Sequence, residues 1–259
     1  MPRSEVMRHM LLENMVIIIP KRVETKIPWR HCLCSEGIVE HVTVSLKTID
    51  YVFPLFLYPD EEKDLFNHHQ TEKEPNIPED IFDGLEAAYG KRPSPEDIFY
   101  YIYGVLYSTI YRETYEEFLR IDFPRVPFTA DVGMFTRMGE LGKELADLHL
   151  LKSPVLENPI AKYMGGGENN RVEKITYDED KGRIYINEEK YFEGITSEVW
   201  NYHIGGYQVL QKYLKDRKGR VMDDAPHYCR IVTALSKTIE IQERIDELYP
   251  DVEREVITL

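Results

Sequence analysis

Three cysteines in 259 residues are too few, and odd in number, for a disulfide framework, which points to a reducing compartment. No apolar run approaches the roughly 20 residues of a membrane-spanning helix, and the N-terminus lacks the charged, apolar and small-residue succession of a signal peptide. A soluble cytoplasmic protein is expected. Positive charge is short as well: 32 Lys and Arg stand against 46 Asp and Glu, for a formal net charge of -14. Only two tryptophans are present, against 18 tyrosines and 10 phenylalanines, so most of the flat apolar area comes from single rings.

Catalytic signatures are missing too. There is no GxxxxGK(S/T) phosphate loop and no GxGxxG following a strand, and Gly165-Gly166-Gly167 reads as a flexible loop. His31, Cys32 and Cys34 with His41 match no two-plus-two zinc spacing, and His227 with Cys229 lies far away, so buried thiols are expected and no metal is assigned. His68-His69 sits in an acidic stretch and reads as solvated. One arrangement resembles an active site: Asp178 followed by Glu188 and Lys190 has the acid plus Glu-x-Lys form of metal-dependent nucleases. That reading requires two carboxylates to converge on Mg²⁺.

What is present is charge set against its background. Residues 51–100 carry a formal -8, whereas residues 1–50 carry +1 and residues 201–259 carry -1. Across residues 212–220, Lys212, Lys215, Arg217, Lys218 and Arg220 are opposed only by Asp216. A local reversal of sign in an acidic chain suggests an anionic partner. Ser197 is placed to cap a short helix, and after Gly205-Gly206 a second helix is expected from Tyr207 to about Asp216, with Leu210 and Leu214 facing inward.

Along the chain, residues 1–13 read as a short basic helix. Residues 15–20 (MVIIIP) read as an apolar strand, and the period-two alternation of residues 38–45 predicts a second one. Between them lies a cationic loop with Lys21, Arg22, Thr25, Lys26 and Arg30. Residues 50–58 form another strand, with Pro54 marking an edge or bend. The acidic stretch 61–93 reads as a surface excursion. Ser94-Pro95-Glu96-Asp97 is a strong helix start, and Asp131 caps a helix to about Leu150. Residues 171–177 and 183–187 form a hairpin, and a C-terminal helix spans residues 224–248. The fold expected is α+β, a mixed or antiparallel sheet packed with a helical subdomain. The aromatic helices around residues 100–115 offer a rival reading as a protein–protein interface.

Three runs carry a family likeness: PEDIFYYIYGVLYSTIYRETYEEFLRIDFPRVPF, LGKELADLHLL and VWNYHIGGYQVLQKYLKDRKGR. In this order they resemble the C-terminal target-recognition domain of Type ISP restriction–modification enzymes. The resemblance implies a non-catalytic, DNA-reading module of a larger polypeptide. Residues 1–13 would then connect it to an upstream methyltransferase module, with residues 14–259 as the recognition domain. The chain has no Asn/Asp-Pro-Pro-Tyr/Phe motif and no FxGxG. S-adenosylmethionine, ATP and Mg²⁺ would therefore serve the methyltransferase, helicase and nuclease modules and not this one. On residue chemistry, Lys212, Lys215, Arg217, Lys218 and Arg220 are candidates for phosphate contact. Lys21, Arg22, Thr25, Lys26, Arg30, Asn169, Asn170, Arg171, Tyr202 and His203 are candidates for base reading.

Overall fold

The computed structural model describes residues 4–23, 27–40, 42–44, 48–59 and 73–258; Thr25, Lys26, His41 and the His68-His69 pair lie outside them. Helix α1 (Ser4–Met7) passes through a 3-10 turn into β1 (Val16–Pro20), all five residues of which are buried. Strands β2 (Leu33–Ser35) and β3 (Asp50–Pro54) flank β1 on either side, both antiparallel, so that Ile17 pairs with Cys34 and with Phe53. The alternating stretch 38–45 is therefore no strand over its described residues: both edges of β1 are taken. The Val44 N–H donates instead to the Asp50 carboxylate at 2.8 Å. Its apolar residues still find burial, Val39 and Val44 joining Met7, Met10, Val16 and Ile18 in a small cluster. After Pro54 the chain bends into β4 (Phe56–Leu57), which pairs with β5 (Glu74–Pro75).

The acidic stretch holds a helix that composition concealed, α2 (Glu79–Tyr89), which buries Phe82 and Leu85. Helix α3 (Pro95–Tyr107) begins where the sequence says it should. Ser94 Oγ accepts the Asp97 N–H at 3.1 Å while the Asp97 carboxylate accepts the Ser94 N–H at 2.9 Å, a reciprocal cap worth about 1 kcal/mol. Ser108 interrupts the helical run and caps α4 (Thr109–Thr114), which is followed by α5 (Glu116–Leu119). Asp131 caps α6 (Val132–His149), accepting the N–H groups of Gly133 and Met134. Helices α3 and α6 meet at Gly142, where a Cβ would lie 1.9 Å from Tyr100 O. Tyr101, Tyr103, Tyr107 and Tyr111 are fully buried in this layer and Tyr100 and Tyr115 are half-buried, which counts against reading these helices as a docking face.

A second sheet, order β6-β9-β8-β7, comprises β6 (Lys162–Met164), β7 (Thr176–Asp178), β8 (Arg183–Tyr185) and β9 (Tyr191–Glu193), all antiparallel. It does not join the N-terminal strands, contrary to the single sheet expected. Then come α7 (Ser197–Trp200), capped by Thr196, the two-residue strands β10 (His203–Ile204) and β11 (Tyr207–Gln208), and α8 (Val209–Lys215). Gly205-Gly206 is thus a hairpin turn and not a gap between helices.

Helix α9 (Ala225–Val252) runs 28 residues, about 42 Å at 1.5 Å per residue. Its first turns pack Tyr228, Cys229, Val232 and Leu235 against the second sheet, α7 and α8. Its remainder packs Ile241, Ile245, Tyr249 and Val252 into the core of α2 to α6. Among the described residues no helix is long and apolar enough to cross a membrane.

Candidate functional site

The basic segment hangs from α8 by Leu210 and Leu214, both fully buried, which fixes the helix face that turns outward. Its cations are not equivalent. Lys212 pairs with Asp216 and lies 5.2 Å from the Tyr207 ring. Arg217 is stacked 3.5 Å over Tyr213 and donates to that residue's carbonyl at 3.2 Å. Lys215 is bound only to the uncharged Gln211 amide oxygen. Lys215, Lys218 and Arg220 are exposed.

Residues 169–171 meet this segment directly. Arg171 and Val221 form an antiparallel bridge, continued by Val172 N–H to Arg220 O at 2.9 Å, Gly219 N–H to Val172 O at 2.7 Å and Met222 N–H to Asn170 O at 2.8 Å. The Arg171 guanidinium also donates to Gly219 O. One buried side chain holds the loop from beneath. Asn187 Nδ2 donates to Asn169 O and Arg171 O, each at 2.9 Å, and its Oδ1 accepts the N–H groups of Glu189 and Lys190 at 2.8 and 2.7 Å. The sequence reading passed over Asn187, a single polar residue at a strand end. Asn169 and Asn170 are partly engaged, Asn169 donating to Glu173 and Asn170 accepting from the Tyr163 hydroxyl.

The N-terminal loop is divided. At its start Lys21 lies 3.7 Å from Asp122 and 5.4 Å from the Phe123 ring, and Val23 N–H donates to Arg120 O, so Lys21 and exposed Arg22 stand beside the end of α5. At its other end Arg30 O accepts the Gly205 N–H at 2.7 Å, and Val44 O accepts the Gly206 N–H at 3.0 Å. Only the Arg30 end therefore reaches the hairpin that leads into α8. His203 lies in that hairpin, half-buried, with Nδ1 2.6 Å from Asn201 O. A carbonyl only accepts, so Nδ1 is the donor in this contact. Tyr202 does not share this exposure: it is 7% exposed, its hydroxyl donates to Gln242 at 2.9 Å, and burial raises its pKa.

The nuclease arrangement fails on register. Asp178 pairs with Arg183 across β7 and β8, whereas Glu188 lies five residues further along, beyond the opposite end of β8. Glu188 sits in the turn that joins β8 to β9, so the two carboxylates lie at opposite ends of β8. Asp178 is occupied with its own turn, bridging Lys181 at 3.0 Å, and that bond holds its carboxyl below the usual range. Lys190 Nζ donates to Gly165 O. Among the described residues no cluster of His, Cys, Asp or Glu could hold a metal ion. Cys32 and Cys34 are buried, and burial pushes the Cys34 thiol up to about 12, so neither is a ready thiolate ligand.

Sequence reasoning also missed a cleft of about 580 Å³ between the two cores, lined by Trp29, Arg30, Arg112, Glu198, Asn201 and Asp246 among others. Arg112 is buried at its floor, donating Nε to Leu106 O at 2.6 Å, with Nη2 and the neighbouring Trp29 Nε1 unpartnered among the described residues. Asp246 is spent on the first turn of α4, accepting from Ser108 Oγ and the Thr109 N–H.

Three solved structures share the fold. The "ATP-dependent Type ISP restriction-modification enzyme LlaBIII bound to DNA" matches at TM-score 0.64 and 22% identity, over 95% of this chain and 16% of that one. A nuclease-deletion mutant of the Type ISP restriction-modification enzyme LlaGI, in complex with a DNA substrate mimic, matches at 0.61 and 21%, over 96% of this chain and 22% of that one. A DrdV–DNA complex matches at 0.63 and 22%, over 95% of this chain and 25% of that one. The chain thus spans no more than a quarter of the length of these relatives. No curated protein matches it. Residues 1–244 match the family described as the Type ISP C-terminal specificity domain, and the chain belongs to that family.

Proposed function

We propose that this chain reads duplex DNA on behalf of a larger restriction–modification enzyme, and that the edge built by residues 169–171 and 215–222 is its contact surface. The observation that carries the reading is the bridge between Arg171 and Val221. It sets a loop of two asparagines and an arginine beside three exposed cations, although some fifty residues separate them in sequence. Lys215, Lys218 and Arg220 contact phosphates and fix the register of the duplex, while Lys212 and Arg217, held by Asp216 and Tyr213, add to the local field. Asn169, Asn170 and Arg171 read base edges, asparagine suiting adenine and arginine guanine. Arg30 and His203 form a second reading pair across the Arg30–Gly205 joint. Tyr202 supports His203 from the core. Lys21 and Arg22 stand apart from this edge and belong to a separate contact, if the duplex reaches α5. The DNA-bound state of the LlaBIII and LlaGI structures supports the reading, and methylation and cleavage, with their cofactors, fall to other modules of the polypeptide.

An acidic surface away from the edge suppresses nonspecific binding, so affinity is modest and strongly salt-dependent. The test is fluorescence anisotropy of a short random duplex at low and moderate salt, comparing wild type with Lys215→Ala/Lys218→Ala/Arg220→Ala. Loss of three phosphate contacts lowers the slope of log K against log salt by about 2.7. An unchanged slope and affinity in the triple variant overturns the assignment of this edge.

A further inference from the structure

Of the two asparagines on the proposed contact edge, Asn170 has the stiffer setting. The Glu168 carbonyl lies 3.4 Å from its Nδ2, and a carbonyl only accepts, which assigns nitrogen to that side and Oδ1 to the other. Oδ1 accepts the Tyr163 hydroxyl at 2.9 Å, the shorter of the two bonds. Tyr163 is the middle residue of β6, opposite Phe192 on β9. The two rings lie 4.8 Å apart, and Phe192 is fully buried. Burial also raises the Tyr163 pKa, so the hydroxyl keeps the proton that it donates. The backbone is held as well, Asn170 O accepting the Met222 N–H at 2.8 Å. Asn169 has no such anchor: its Nδ2 donates to Glu173, an exposed side chain, where water competes for both partners.

An asparagine amide carries two N–H donors and two acceptor lone pairs. Glu168 and Tyr163 take one of each, which leaves one donor and one acceptor in a fixed order. Adenine presents the complement in the major groove, N7 accepting and N6 donating. We propose that Tyr163 is a positioning residue for base reading, and that its hydroxyl holds the Asn170 amide in the orientation that selects adenine. The inference rests on the DNA reading above and deepens it, naming one base and the side chain that sets the choice. Without the hydroxyl the amide keeps only its 3.4 Å contact with Glu168 O, and its donor and acceptor can exchange places.

The test is selection of bound sequences from a randomised duplex library at low salt, with wild type, Tyr163→Phe, Asn170→Ala and Tyr177→Phe. Tyr177 is the control, because its hydroxyl also bonds within the second sheet, donating to Ile195 O at 3.1 Å, but from the strand farthest from β6. Wild type favours adenine at one position by about 5- to 150-fold, the range for one bidentate pair. Tyr163→Phe lowers that preference about fivefold, the worth of one hydrogen bond. Asn170→Ala abolishes it, and Tyr177→Phe leaves it intact. Relaxation of the side-chain amide resonances reports the lock without DNA: the Asn170 amide is more mobile in Tyr163→Phe than in wild type. Equal mobility, or an adenine preference that Asn170→Ala removes and Tyr163→Phe retains in full, overturns the positioning role and leaves the DNA reading standing. A different base at the position that Asn170→Ala erases overturns the adenine assignment. No enriched sequence with any of the proteins overturns the DNA reading, and this inference with it.

Discussion

Replacing Gly205 by alanine separates two costs that usually arrive together. Gly205 has φ +54°, its N–H donates to Arg30 O at 2.7 Å, and a Cβ there would lie 2.0 Å from Val44 O and 2.8 Å from Val44 C. Gly90, at the end of α2, has φ +70° and nothing within 4 Å of the same position. Alanine at either site incurs the left-handed penalty, about 1 to 2 kcal/mol. Only at residue 205 must a backbone carbonyl also retreat, at about 1 to 3 kcal/mol, with the Arg30 hydrogen bond weakened by a further ~1 kcal/mol. The expected destabilisation is about 1 to 2 kcal/mol for Gly90→Ala and about 3 to 6 kcal/mol for Gly205→Ala. Urea unfolding followed by far-UV circular dichroism measures both, provided the dependence on denaturant is the same in each variant. Equal losses would refute the claim that the 203–208 hairpin is seated against residues 30 and 44. A loss at 205 accompanied by weakened DNA binding would place Arg30 and His203 on the contact surface together.

Acid should destabilise the fold well before its carboxylates protonate. His31 is fully buried and accepts the Arg30 N–H on Nδ1 at 3.3 Å. Burial, then the Arg112 charge, lower its pKa from 6.5 to about 4. The unfolded chain therefore takes up this proton first, and stability that is complete above pH 6.5 is lost as the pH falls toward 4. The loss is about 2 kcal/mol at pH 5 from this residue alone. His149, bound through both ring nitrogens to Tyr103 and Thr238, acts in the same direction, its pKa lowered to about 3 by burial. Urea midpoints at pH 7.5 and 5 report the effect, and equal midpoints would contradict it. Asn187→Ala leaves two carbonyls and two N–H groups without partners, at about 2 to 4 kcal/mol, and frees residues 169–171. Proteolysis within that loop should rise, and DNA affinity should fall further than in Asn14→Ala, which removes a comparably bonded buried asparagine away from the edge.

Where a structural cause is local, the sequence displayed it. Ser94 with Asp97, and Asp131 ahead of its helix, declare their helix starts because the capping groups lie within three residues of what they cap. Registry is not local. The alternation of residues 38–45 is a fair strand pattern, but residues 33–35 and 50–54 take both edges of β1, and nothing in the sequence ranks the three competitors. Helix α2 escaped notice because its acids outnumber Phe82 and Leu85, two residues that suffice to anchor it. At the candidate site, residue chemistry was visible and juxtaposition was not. The cations at 215–220 and the amides at 169–170 could each be chosen by type, whereas their bridge depends on the fold of the whole second sheet. Tyr202 shows the converse error, since a tyrosine beside a double glycine reads as exposed until Gln242, forty residues on, is found against its hydroxyl. The stacking of Arg217 on Tyr213 was within reach, because a spacing of four on a helix brings such pairs together.

Helix α9 limits how this protein can acquire a new specificity by recombination. Residues 225–235 complete the core beneath the proposed contact edge, and residues 234–252 complete the other core, so no crossover in a loop after residue 224 transfers one unit intact. A graft that brings in a foreign contact edge must cross within the helix, near Ala234 and Leu235, and must do so in phase. Each residue inserted or deleted there turns everything beyond it by about 100°, swinging Ile241, Ile245 and Tyr249 out of their core. Viable chimeras of this fold should therefore keep the residue count through that junction unchanged, whatever they alter before it.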